Sequence, residues 1–134
     1  MKYSFLARAG VIGLAALVLS SCQYGYDITA FVRDGHIIFK LGDCGRVPGV
    51  NFFQVEEVAH RRHGVWRLET TKTNGPELRE LQYGKVPNGF KETVRAEQLE
   101  VGRVYRVGLF AIDGVGRGLF AISDKGEVLK VSED

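Results

Sequence analysis

Cysteine is scarce in this chain, and that excludes one way of holding it together. Cys22 and Cys44 are its only two cysteines, whereas small exported domains stapled by disulfides carry several in paired spacings. The fold must therefore rest on an apolar core. About 113 residues can bury roughly 65% of their unfolded surface, enough to stand without cross-links. A surplus of one charge is missing too. Of 18 basic and 16 acidic residues, positions 1–21 hold two basic and no acidic ones, which leaves 16 of each in the remainder. A nucleic-acid partner would want a clearly basic face, and none is offered. Long apolar runs are also absent. Ala9–Leu19 has eleven residues without a charge and would span about 16 Å as a helix. A bilayer crossing takes about 20 residues.

What that short run does have is a context. Lys2 and Arg8 place positive charge around its start, the pattern of a secretory signal. A core helix would carry a polar face, and this run has none. It ends in Leu19-Ser20-Ser21-Cys22: a branched apolar residue, two small ones, then cysteine. This segment resembles the lipobox of bacterial lipoproteins. The resemblance implies cleavage between Ser21 and Cys22, a diacylglyceryl thioether on the Cys22 sulfur, and acylation of the freed amine. Two or three chains anchor stably where one does not, at about 0.8 kcal/mol per buried methylene. Gln23 follows the cysteine rather than Asp, which among lipoproteins of Gram-negative bacteria implies the outer membrane. The expected organisation is a cleaved signal-peptide helix over 1–21, a lipidated linker over 22–25 and one domain over 26–134. Only Gln23, Tyr24 and Gly25 separate Cys22 from Tyr26. That is a reach of about 13 Å even when extended, so the domain is expected against the headgroups.

From Tyr26 onward the apolar period is two, the strand period. In ITAFVRDGHIIFKL, Ile28, Ala30 and Val32 alternate with Thr29, Phe31 and Arg33, and Asp34-Gly35 marks a two-residue hairpin turn. GDCGRVPGV breaks the pattern as a loop. NFFQVEEV and VWRLETT follow as the third and fourth strands, with Trp66 and Leu68 on one face and Arg67 and Glu69 on the other. ELRELQYG is expected as a fifth strand, with a helical turn as its alternative. GRVYRVGLFAI and RGLFAIS form a pair around Asp113-Gly114, and GEVLKV closes the chain as an edge strand. The pentad GLFAI occurs twice, at 108–112 and 118–122. One such period cannot build a solenoid, so the repeat is convergent strand composition.

Seven or eight short strands between turn signals indicate an all-β, antiparallel sandwich, with a small barrel as the alternative. Leu99-Glu100-Val101-Gly102-Arg103-Val104-Tyr105-Arg106-Val107 resembles the L-x-P-G-x-x-Y-x-V segment that leads into the sixth strand of fibronectin type III domains, with Val101 in the proline position. The resemblance implies an immunoglobulin-like Greek-key sandwich in which the Tyr105 hydroxyl returns to the backbone at the sheet corner.

Candidate chemistry is thin. Cys44 with His36, His60 or His63 could in principle pair nucleophile and base. GDCGR shares a cysteine and an arginine with the S-x-G-C-x-R signature of L,D-transpeptidases, but Asp43 stands where glycine is required and the serine is missing. A small buried residue is the plainer reading of Cys44. His60-Arg61-Arg62-His63 is the densest polar cluster. It lacks the further ligands of a tetrahedral metal site, whereas Arg61 and Arg62 on a loop suit an anion or a lipid headgroup. The glycines of GVGRG and GDCGRVPG lack the lysine and hydroxyl residue of a phosphate loop and read as turn glycines. Glu56 and Glu57 are adjacent on a strand and so face opposite ways.

The sequence thus leads to a lipid-anchored envelope protein with a non-catalytic binding or structural role, no cofactor, no metal and no nucleic acid. Its expected contacts are the membrane and an envelope protein partner. The competing expectations are a small enzyme using Cys44 and a histidine, and a lipid or small-ligand carrier.

Overall fold

The computed structural model describes residues 25–42, 45–60 and 64–132, with His60 described by its backbone alone. The expected signal-peptide helix falls outside them. Among the described residues the chain is all β apart from one 3₁₀ turn, Val58–His60. Nine strands follow in chain order: β1 (Tyr26–Arg33), β2 (His36–Leu41), β3 (Val50–Glu57), β4 (Gly64–Thr70), β5 (Glu80–Gln82), β6 (Phe90–Val94), β7 (Val104–Ala111), β8 (Gly114–Ile122) and β9 (Val128–Lys130).

The first hairpin forms as its turn residues dictate. Asp34 and Gly35 take φ of 52° and 75°, the two left-handed positions of a type I′ turn, and Arg33 faces His36 across them. β3 pairs antiparallel with β4, with a bulge between Val55 and Glu56. Trp66 and Leu68 point inward and are fully buried. Arg67 and Glu69 lie on the outer face, half-buried.

The ladder runs β5-β2-β1-β8-β7-β3-β4-β6, with β9 on the far side of β8. One step corrects the purely antiparallel expectation. Tyr26 and Asp27 pair parallel with Gly116 and Arg117 of β8, while Ile28 onward pairs antiparallel with β2. β1 thus leaves one part of the sheet for another, and the sheet curls over itself there. The curl has a steric cause. A methyl group on Gly116 would sit 2.8 Å from the Tyr26 carbonyl oxygen and from Leu109 Cγ, and one on Gly118 would sit 2.4 Å from the Ile28 carbonyl oxygen. β1 can cross only where β8 has no side chain. These two glycines are therefore not the turn glycines expected of GVGRG.

The curl brings β2 over β3 and β8. The fully buried Phe39 ring lies 5.5 Å from those of Phe53 and Phe120. Phe53 in turn packs on Trp66, and Trp66 on Tyr83, at 5.6 and 5.1 Å. Aromatic rings in tilted and edge-on contact fill the space between the two parts of the sheet.

Other departures are local. Nine strands are described where seven or eight were expected, because β6 lies in a stretch to which the sequence assigned no element. The fifth strand shrinks to three residues, with Glu77 reaching Gly49 through a single bridge. The β7–β8 turn residues are Ile112 and Asp113, since Ala111 already faces Gly114. The two GLFAI copies also face opposite ways: Phe120 is inside, whereas Phe110 is 52% exposed. The repeat has no structural counterpart.

Candidate functional site

Two ends of the molecule collect the polar and apolar features that the core does not use. The lower end holds Gly25, where β1 begins, together with Gly42 and Val50 and the β7–β8 turn. The upper end holds the β1–β2 turn, the 3₁₀ turn and the segment Leu99–Arg103 that leads into β7.

Most sequence-derived candidates fall outside the described residues: Ser21, Cys22, Cys44, Arg61, Arg62 and His63, with the side chain of His60. Their neighbours can still be placed. Gly42, two residues before Cys44, bonds to Asp27 at the lower end through its N–H. His36 and the 3₁₀ turn that ends at His60 are at the upper end. The six residues of β2 separate the two ends by about 17 Å. His36 is thus not brought next to the residues flanking Cys44. Glu56 and Glu57 do face opposite ways, as their adjacency requires: Glu57 is turned inward and Glu56 pairs with Arg106 on the outer face. Among the described residues no three His, Cys, Asp or Glu side chains come together as metal ligands do.

At the upper end the Glu57 carboxylate is buried, and both its oxygens accept from Arg103 Nη1, at 3.0 and 2.9 Å. Arg103 also pairs with Glu100 through Nε. Its bond to Glu57 holds the guanidinium pKa above its ordinary value. The Tyr105 hydroxyl accepts the Glu100 backbone N–H at 2.8 Å, the back-bond to the chain just upstream that the fibronectin-like segment implied. These groups border a cleft of about 450 Å³. The buried carboxylate that lines it is engaged by the Arg103 guanidinium.

The lower end is built differently. The Tyr26 hydroxyl lies 2.8 Å from both carboxylate oxygens of Asp113 in the β7–β8 turn. Burial first, and then that bond, push the Tyr26 pKa above its usual value. The Arg46 guanidinium stacks over the Tyr26 ring at 4.8 Å and donates from Nη2 to the Gly25 carbonyl at 3.0 Å. Lys40, Arg46 and Arg79, with Glu80, line a neighbouring cleft of about 370 Å³. Next to this polar knot stands an apolar one. Ile112 at the turn is 80% exposed, Phe110 and Val115 face each other across β7 and β8, and Phe110 packs on Phe52 at 5.6 Å.

Sequence reasoning missed this apolar group. The available signal was Ile112 itself, since hairpin turns draw on Gly, Asn, Asp, Pro and Ser. An isoleucine there gains nothing from the turn. Comparison with known proteins returned no match: no family model, no curated protein and no solved structure matches this chain.

Proposed function

We propose that the chain is a bacterial lipoprotein. Residues 1–21 are removed between Ser21 and Cys22, Cys22 carries the acyl chains, and the β domain performs a non-catalytic binding or structural role in the cell envelope. The observation that carries this reading is Leu19-Ser20-Ser21-Cys22 at the end of an eleven-residue uncharged run that closes on Leu19. Gln23 in place of Asp assigns the anchor to the outer membrane. The partners are the membrane, through the lipid, and an envelope protein. Arg61 and Arg62 contribute a headgroup or anion contact.

For the domain we adopt the fibronectin-like sandwich reading. Its layers are β5-β2-β1 and β9-β8-β7-β3-β4, β6 is an added edge strand, and Tyr105 is the corner tyrosine. The inward rings of Phe39, Phe53 and Phe120 support two facing layers. The Tyr105 bond to Glu100 supports the corner.

The test is Cys22→Ala in cells fed labelled fatty acid. The variant should lose the label and accumulate as precursor with residues 1–21 attached. A variant that still incorporates label removes the anchor.

A further inference from the structure

The place where the chain joins the fold fixes which end of the domain an acylated Cys22 can reach. Gly25 is pinned on two sides: Arg46 donates to its carbonyl, and a methyl group on it would lie 3.2 Å from the Val115 carbonyl oxygen. Tyr26 then pairs with Gly116 and bonds to Asp113. Gln23 and Tyr24 link Cys22 to Gly25, and the three Cα–Cα steps span about 11 Å at full extension. An anchor on Cys22 is therefore held within that reach of the β7–β8 turn and cannot reach the upper end, the eight residues of β7 or about 23 Å away.

Among the described residues Ile112 of that turn is the most exposed large apolar side chain, at 80% against 58% for Val101 at the upper end. Phe110 and Val115 stand exposed behind it. The one carboxylate of the turn, Asp113, is already bonded to Tyr26. Lys40, Arg46 and Arg79 face a cleft beside Tyr26 with one carboxylate, Glu80, among them. Apolar groups at a tip with cations set back from it match the layering of a leaflet, hydrocarbon below and phosphate above.

We propose that the β7–β8 turn is a second membrane contact. Ile112, with Phe110 and Val115 beside it, inserts at the acyl-chain boundary next to the Cys22 lipid, and the Arg46 side of the lower end meets the phosphates. The domain then stands on its lower end, with Glu57, Arg103 and the 3₁₀ turn facing away from the membrane. That leaves Arg61 and Arg62, next in the chain after that turn, the anion contact rather than the headgroup one. This inference rests on the lipoprotein reading, because a free domain would have no cause to hold its turn at a bilayer.

The test uses the full acylated chain in vesicles of phosphatidylethanolamine and phosphatidylglycerol whose acyl chains carry bromine about 5–10 Å below the headgroups. Tryptophan is placed at the turn by Ile112→Trp and at the upper end by Val101→Trp, where the native residue is 58% exposed. The buried Trp66 gives both the same background. The Ile112→Trp emission should be quenched by the brominated lipid and the Val101→Trp emission left unchanged. The mass of the same samples reports acylation. Acylated, vesicle-bound protein with unquenched Ile112→Trp overturns the turn contact and leaves the anchor standing. Equal quenching of both variants also overturns it, because the domain then lies on its side. Shielding of Ile112→Trp from an aqueous quencher without bromine quenching gives the patch to a protein contact instead. Protein that carries no acyl group and does not bind the vesicles overturns both readings.

Discussion

The Tyr26 hydroxyl and the Asp113 carboxylate meet at 2.8 Å across 87 residues of chain. That contact ties the first strand to the turn of the longest hairpin. It belongs to a corner that depends on two missing side chains, and the corner can be tested directly.

Gly118→Ala should destabilise the domain by about 1–3 kcal/mol, the usual cost of overpacking. Its methyl group would meet the Ile28 carbonyl oxygen at 2.4 Å. Gly108→Ala, on the neighbouring strand, meets nothing closer than 3.9 Å and should shift stability by about 0.5 kcal/mol or less. Chemical denaturation of the two variants checks the contrast. Equal losses would mean that β1 does not need the gap.

Tyr105→Phe removes the acceptor of the Glu100 N–H at a buried position. The loss should be about 0.5–1.5 kcal/mol, one net hydrogen bond, read as a lower denaturation midpoint with an unchanged slope. An unaltered midpoint would deny the corner its structural role.

Arg103→Met leaves the buried Glu57 carboxylate without its guanidinium. An uncompensated buried charge costs more than the absence of the pair. The single variant should therefore melt lower than the double variant Glu57→Gln with Arg103→Met. A double variant that melts no higher than the single would assign Arg103 a packing role alone.

Burial pushes the Tyr83 pKa well above its usual 10.0, and its hydroxyl donates to the Glu97 carbonyl at 2.6 Å. A pKa raised by folding stabilises fully below the unfolded value and ceases to do so as pH climbs through the folded one. This tyrosine's contribution should hold up to about pH 10 and decline above it. Melting curves of the native chain and of Tyr83→Phe, taken between about pH 9 and 11, should converge as pH rises. Parallel curves would place the alkaline loss elsewhere.

Where a segment's surroundings are local, the sequence disclosed them. Asp34-Gly35 specifies its own turn, Trp66 and Leu68 alternate with Arg67 and Glu69 because β4 has one dry face, and β9 sits at the edge as its shortness suggests. Tyr105 could be placed because its bond returns only five residues upstream. What stayed hidden depends on distant chain. In FKETV only Phe90 turns fully into the core, since β6 lies beyond β4 with solvent around it. Its period is therefore faint. Gly116 and Gly118 look like turn glycines until β1 is laid across them. The two GLFAI copies cannot reveal which phenylalanine is inside, because that depends on the register of β7 and β8 with their neighbours. Much of the expected site, Cys22 and residues 61–63 above all, falls outside the described residues.

The parallel step between Tyr26 and Gly116 also governs timing. A polypeptide delivered N-terminus first exposes β1 long before β8 exists, so the corner stays open until nearly the whole chain has arrived. Late, long-range closure of this kind slows folding. Until β8 is in place the two parts of the sheet have no strand to join them, so the compact state forms in one late step.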